Sequence, residues 1–455
     1  MLSFAVMCLI PLAVGSLYAQ EASGHKAISH KEIQINISDI KGRHGTFYKE
    51  CVSTGRAYLL LRRDHQEHIL QAAHECGFKY LRFHGLLQDD LGVYRENGEG
   101  NPIYSWQYVD EVYDFIVDNG LRPFVVFDFM PESLASNKST IYWEKSNISP
   151  PKDYKKWGNL IHEVVKHFTE RYGKEEVGKW FFEVWNEPDQ HFFTGNMDDY
   201  LKMYDYAARA VKAVSPDYRV GGPAIAGNMT WITGLTWDYW DPLRDSYQAA
   251  SFILSRLKDI GGGKVKALSY CVISDVFEED GPPTYNFHGG FGLINLQGIR
   301  KPAYFAYKFL NQLGDTELAC NDSDAIACRN KEGVQVLFWN DAVRQDIENR
   351  AYYNQDRPSL PAGKTKLSIT GLKEGKYDLE VYRVGYRHND AYTLYKDMKY
   401  TGSLSRQQIK YLETQSLGLP ERTEKITLKK SSGGIYVFET DIRENDVFPG
   451  YVDCF

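Results

Sequence analysis

Between residues 42 and 314, short apolar runs alternate with longer amphipathic segments. The apolar runs at 46–52, 80–84, 123–127, 180–184, 219–222 and 265–272 are bounded by Gly, Pro, Asn or Asp and predict buried strands. Between and after them, 65–76, 106–119, 157–171, 200–214, 244–258 and 302–313 carry apolar residues three and four positions apart, as Leu160, Val164, Val165 and Phe168 do. That spacing predicts helices buried along one stripe. Strand followed by helix, repeated, predicts an α/β fold with a parallel sheet. Its commonest closed form is a (β/α)8 barrel with its chemistry at the carboxyl ends of the strands.

From about residue 315 the period changes. Short alternating runs at 333–339, 377–384, 424–429 and 434–440 are separated by Gly, Pro, Asn and Asp, which predicts an antiparallel β-sandwich. The run 31–39 also alternates and is expected to join that sandwich from the N-terminal side. The expected organisation is a leader over 1–19, an N-terminal strand segment over 20–42, a TIM-type barrel over 43–314 and a β-sandwich over 315–455.

Composition narrows the function class. The 455 residues are 43% apolar and 25% charged, which excludes a disordered or fibrous chain. With 60 acidic against 53 basic residues and no long basic run, neither nucleic acid nor an anionic membrane is the expected partner. Residues 4–14 are almost wholly apolar, too short to span a bilayer, and small residues follow at Gly15, Ser16 and Ala19. They read as a secretory leader cleaved near Ala19–Gln20, giving a secreted or periplasmic protein with no membrane span, although no Lys or Arg precedes Lys26. Beyond that leader stand Cys51, Cys76, Cys271, Cys320, Cys328 and Cys454, without the paired spacing of a zinc site. Cys320 and Cys328 are near enough to close a loop; the other reading is six free thiols. No His-rich cluster, GxGxxG or Walker motif occurs, so neither metal nor cofactor is expected.

The chemistry concentrates in Trp180-Phe181-Phe182-Glu183-Val184-Trp185-Asn186-Glu187-Pro188-Asp189. A strand running into a turn at Pro188 puts Asn186 and Glu187 on the carboxyl rim of a barrel. Trp185 and Pro188 beside Glu187 favour a desolvated carboxyl that keeps its proton near neutrality, as a general acid for a glycosidic oxygen must. Asn186 offers an amide to a sugar hydroxyl. This stretch resembles the signature of glycoside hydrolase family 39, which contains β-xylosidases and α-L-iduronidases, and the resemblance implies that Glu187 is the acid/base.

Further blocks resemble the same family: Leu81-Arg82-Phe83-His84-Gly85 with Asp89-Asp90-Leu91-Gly92-Val93-Tyr94; Phe129-Met130-Pro131-Glu132-Ser133-Leu134-Ala135; and Ser274-Asp275-Val276-Phe277-Glu278-Glu279 with Phe287-His288-Gly289-Gly290-Phe291-Gly292. They imply a carbohydrate substrate contacted by His84, Asn186, Glu278 and Glu279. The block from Arg82 to Ala135 looks nearer to the β-xylosidases. An exo-acting, retaining β-xylosidase cutting O-glycosidic bonds of xylosides or xylo-oligosaccharides is the expected activity.

One departure bears on that activity. A retaining glycosidase uses two carboxyl groups, and the family's nucleophile is a Glu at the end of the seventh strand. The fifth strand at 219–222 is followed, after only the 19 residues 223–241, by a block resembling the helix after the seventh strand. A single βαβ crossover takes about 30 residues or more, so strands 6 and 7 are expected to be missing and the barrel incomplete. Thr236-Trp237-Asp238 resembles a remnant of the nucleophile motif with its Glu lost, leaving Asp238 as the nearest substitute carboxylate. The alternatives are an α-L-iduronidase-like hydrolase and a catalytically impaired carbohydrate-binding protein.

Overall fold

The computed structural model describes residues 5–6, 29–225, 242–261, 265–283, 285–342, 358–399, 403–429 and 433–454. Its first sheet is all parallel. It contains β1 (Ala5–Val6), β3 (Cys51–Arg56), β4 (Tyr80–His84), β5 (Arg122–Phe127), β6 (Phe181–Val184), β7 (Arg219–Gly221) and β8 (Leu268–Tyr270), in the order β1-β8-β3-β4-β5-β6-β7; β2 (Ser29–Arg43) belongs to the second sheet. Helices α1 (Arg63–Cys76), α2 (Gln107–Asp118), α3 (Tyr154–Tyr172) and α4 (Met197–Val214) connect β3 through β7 in turn. Helix α5 (Gln248–Ile260) leads into β8, and α6 (Pro302–Asn311) follows it. This is the barrel-type architecture that the alternating periods predict.

Local chemistry explains the element ends. Asp153 caps α3 by accepting from the N–H groups of Lys155 and Lys156, three residues earlier than the apolar stripe alone indicates. Asn196 and Asp199 form a reciprocal capping box that starts α4 early in the same way. The stripe Trp157, Leu160, Ile161, Val164, Val165 and Phe168 of α3 is fully buried against the sheet.

The first barrel strand departs from the expectation at 46–52. Residues Phe47–Lys49 form a single 3-10 turn, and the strand begins at Cys51, where Cys51 and Val52 come into register with Tyr80 and Leu81. Tyr48 turns into the core instead, its hydroxyl donating to the carbonyl of Leu310 at 2.8 Å. The segment expected as one helix over 244–258 is a short turn of helix at Pro242–Asp245 followed by α5.

Among the described residues β7 pairs with β6 alone, continued by one bridge between Asn186 and Ala224. At the opposite edge β8 pairs with Ala5–Val6, two residues of the apolar run read as a leader. Residues 226–241, which include Asp238 and most of the interval expected to lack strands 6 and 7, lie outside the described residues, as does the rest of the expected leader.

The antiparallel sandwich is realised as one continuous nine-stranded sheet. With β9 (Thr316–Cys320), β10 (Ala325–Arg329), β11 (Gly333–Trp339), β12 (Pro361–Thr370), β13 (Gly375–Val381), β14 (Arg422–Leu428), β15 (Tyr436–Arg443) and β16 (Val447–Cys454), the order is β14-β13-β16-β11-β10-β9-β2-β12-β15. All neighbours are antiparallel except β2 and β12, which run parallel. Leu367, Ile369 and Phe438 from one end share a core with Leu379, Val381 and Leu428 from the other, so the sheet curls over on itself. Cys328 lies opposite Glu317 and Cys320 opposite Ile35, a register that leaves both thiols free.

The two units are packed together. Ile326, Leu337, Trp339, Val384 and Val447 of the second unit are buried in the barrel's own core cluster. The indole N–H of Trp339 donates to Ser255 of α5 at 2.8 Å, and Lys258 reaches the carbonyl of Ala325 at 2.6 Å.

Candidate active site

On β4, alternation sends Leu81 and Phe83 into the apolar layer, where Phe83 meets Tyr113 of α2 edge-on. The intervening Arg82 and His84 therefore face the barrel interior. Arg82 crosses that interior to β6. Its Nη2 donates to Glu183 Oε1 at 2.5 Å and to Asn186 Oδ1 at 2.8 Å, and its Nε donates to Glu183 Oε2 at 3.2 Å. With Oδ1 engaged, Asn186 presents its amide N–H groups to whatever occupies the site.

Two residues in the left-handed region, Trp185 at φ 70° and Glu187 at φ 47°, turn the chain out of β6 on either side of Asn186. Trp185 anchors the turn, buried and donating its indole N–H to the carbonyl of Phe192 at 3.0 Å. Glu187 is left at the strand's carboxyl end with its carboxyl largely desolvated. Burial is the main cause that pushes its pKa up to about 7; Arg82 opposes the shift, while the charges of Glu279, Asp189 and Glu183 add to it.

His84 is buried, with Phe129 and Tyr142 against its ring. Its Nε2 lies 3.1 Å from Glu279 Oε1, but off the line of a hydrogen bond, so neither ring nitrogen has an aligned partner. Burial pushes the His84 pKa down against the pull of Asp128 and Glu144, which keeps the ring neutral. Glu187, Asn186, His84 and Glu279 thus share one rim. Glu278 is engaged differently, in a 2.5 Å salt bridge to Arg62 at the start of α1.

Period-two alternation in strands buried on both faces is a signal that finds Arg82 and Glu183, since a charge inside such a strand needs a partner. Other groups at the site leave no local trace. Asp128, fully buried at the end of β5, accepts from the Gly85 N–H at 2.6 Å and is pushed up to about 7 by burial. Arg56 at the end of β3 pairs with Asp90, and Glu144 enters from the loop over 140–147.

These groups form a cluster of buried polar atoms without an aligned hydrogen-bond partner among the described residues: Arg56 Nε, both His84 nitrogens, Gln88 Oε1, Asp90 Oδ1, Asp128 Oδ2 and Glu144 Oε2. An unsatisfied buried polar atom costs about 1–3 kcal/mol. Their concentration at the carboxyl ends of neighbouring strands is that of a pocket lined for a hydroxyl-rich ligand, not of a packed core.

The loop that carries Glu279 is pinned from below. Lys301, fully buried, places its Nζ 2.6 Å from both Asp245 and Asp275 and 3.0 Å from the carbonyl of Gly290. Asp245 accepts from the Gly289 N–H at 2.6 Å, and Asp275 from Gly292 at 2.8 Å. A Cβ at position 292 would lie 2.3 Å from the Asp275 nitrogen, so only glycine fits.

A model of the family described as Glycosyl hydrolases family 39 matches residues 31–236 and 233–417, two stretches that meet in the short interval before α5. Over 372 residues the chain is 37% identical to a beta-xylosidase of Geobacillus stearothermophilus, covering 64% of this chain and 73% of that one. A shorter match, 30% identical over 164 residues, is to the human alpha-L-iduronidase, covering 35% of this chain and 23% of that one. The crystal structure of a monomeric beta-xylosidase from Caulobacter crescentus superposes with a TM-score of 0.86 at 32% identity, covering 93% of this chain and all of that one.

Proposed function

Because this chain belongs to glycosyl hydrolases family 39, we propose that it is a secreted hydrolase directed at β-xylosides, with Glu187 as its proton donor. The observation that carries the reading is the Glu187 carboxyl, pushed up to about 7 at the carboxyl end of a barrel strand beside the oriented amide of Asn186. Such a carboxyl still carries its proton closer to neutrality than an ordinary glutamate does. Transfer of that proton to the glycosidic oxygen lets the bond to the sugar's first carbon break with the electron pair leaving on oxygen, which departs as an alcohol, while water, directly or after a carboxylate, bonds to that carbon and gives up a proton.

A neutral pentose suits the charges around that carboxyl. Glu279, Asp128 and Glu144 surround His84, while the nearby cations are occupied, Arg82 by Glu183 and Asn186, and Arg56 by Asp90. Among the described residues a uronate would meet carboxylates, with the Arg82 and Arg56 charges already paired to Glu183 and Asp90. The beta-xylosidase relatives point the same way.

The second half of a retaining reaction is weak in this chain. Its interval 223–241 has no Glu, and Asp238 is the carboxylate left in the region resembling the nucleophile motif. General acid catalysis supplies about 10²–10⁴-fold of the 10⁶–10¹⁷-fold that whole enzymes reach. Low turnover with intact sugar binding is therefore the expected behaviour. Release of xylose from xylobiose, whose leaving hydroxyl needs a proton, by the purified chain tests this. Weak turnover abolished by Glu187→Gln and unchanged by Asp238→Ala supports the reading with Asp238 inactive. Robust turnover lost in Asp238→Ala makes Asp238 the nucleophile, and turnover indifferent to Glu187→Gln removes the assignment of the acid.

A further inference from the structure

Trp143 is the most exposed of the aromatic residues near the site, with 65% of its surface open to solvent. It stands in the loop between the paired segments Thr140–Ile141 and Ser146–Asn147. Its two neighbours in the chain both face inward: Tyr142 packs on His84 and Phe129, and the partly desolvated Glu144 reaches toward His84 and Arg56. The Trp143 indole is instead exposed to solvent, and its backbone N–H is tied to the carbonyl of Glu279 at 2.8 Å.

The indole is held from one side. Gly281, at φ +89°, lies beneath it so closely that a Cβ there would stand 3.3 Å from two ring atoms. A glycine under the ring supports a flat position against the main chain and leaves the opposite face open. The loop that carries the ring also delivers Tyr142 and Glu144 to His84, so the exposed ring stands at the edge of the sugar pocket.

We propose that Trp143 is the platform for the second sugar of the substrate, the ring on the leaving side of the bond that Glu187 protonates. The proposal rests on the xyloside reading above and extends it outward. The unpartnered polar atoms around His84 take the hydroxyls of the terminal xylose. The scissile oxygen lies at the Glu187 carboxyl, and Glu279, in contact with His84 and bearing on Glu187, stands beside it. The chain of the ligand then leaves the pocket past Glu279, whose carbonyl holds the Trp143 N–H, and meets the Trp143 indole. The apolar C–H face of a pyranose is flat and matches such a ring in size, so stacking there buries apolar area on both partners.

Calorimetric titration of the whole chain with xylose and with xylobiose tests this. Wild type is expected to bind xylobiose more tightly than xylose. Trp143→Ala is expected to weaken xylobiose about tenfold, the loss of one stacked ring, and to leave xylose within about twofold. Trp143→Phe, which keeps an aromatic face, is expected to retain most of the affinity. Equal affinity of wild type for both sugars, an unchanged xylobiose affinity in Trp143→Ala, or an equal loss for both sugars overturns the platform and leaves the pocket standing. Failure of wild type to bind either sugar overturns the platform and the xyloside reading together.

Discussion

Nη2 of Arg82 lies 2.8 Å from Oδ1 of Asn186, so a residue on β4 sets the orientation of an amide placed at the end of β6. The same guanidinium neutralises the buried Glu183. Arg82→Ala would strand that carboxylate, and a loss of about 3–5 kcal/mol is expected in urea unfolding. Arg82→Lys keeps the charge without the planar fork. It is expected to retain most of the stability while xylose affinity falls, because nothing then holds Asn186 in place. Equal affinities of Arg82→Lys and wild type would detach the amide's orientation from sugar binding.

The raised Glu187 pKa has a stability consequence of definite sign. The folded chain keeps this proton up to about pH 7, whereas the unfolded chain releases it near 4.5. Between those values the folded state binds more protons, so the group lowers stability as pH rises through that window. Glu187→Gln removes the penalty. Thermal unfolding should show equal stability of variant and wild type at pH 4 and a more stable variant at pH 8, by on the order of 2 kcal/mol. A variant that is less stable at pH 8 would mean that the carboxylate is better solvated or better paired than its position indicates.

Charge selectivity follows from the carboxylates around His84. At pH 7 and low salt, xylose is expected to bind at least about tenfold more tightly than iduronic or glucuronic acid, a difference of about 1.4 kcal/mol. The gap should narrow as pH falls toward 4.5, since Asp128 and Glu144 are both pushed up by burial and take up protons in that range. Tighter binding of the uronate at pH 7 would favour an iduronidase-like substrate.

Lys301 holds two carboxylates at 2.6 Å in a fully buried site. Lys301→Met leaves both unpaired and is expected to cost about 3–5 kcal/mol, with loss of sugar binding as the Glu279 loop loosens. Asp275→Asn keeps an acceptor for the Gly292 N–H and leaves Lys301 one carboxylate. It also removes the group whose charge burial opposes most directly, Asp275 being pushed up by desolvation. A cost within about 1 kcal/mol is therefore expected, and comparable costs for the two variants would argue against a charge-matched pair at Lys301 and Asp245.

Much of the architecture was legible in one dimension because its determinants are local. The 3.6-residue stripe of Leu160, Val164, Val165 and Phe168 and the apolar runs between helices are set by neighbours a few residues apart, and the rule that barrels work at strand carboxyl ends then placed Asn186 and Glu187 on the rim. The Asn-Glu-Pro turn and its surrounding ten residues are a contiguous motif, so the candidate acid was visible without coordinates. Cys51 as the start of the first strand was not, because its register depends on pairing with Tyr80 and Leu81. Nor was the single curled sheet, which is decided by β2 and β12 meeting across more than 300 residues.

The pKa of Glu187 divides along the same line. Trp185 and Pro188 beside it foretold the direction of the shift, but the two largest charge effects on it come from positions 82 and 279, on β4 and in the loop after β8. Arg56, Asp128 and Glu144 are single charged letters among many in the sequence. They become a pocket only when β3, β5 and the 140–147 loop converge on His84, because hydrogen bonding and electrostatics depend on distance in space and not on separation along the chain.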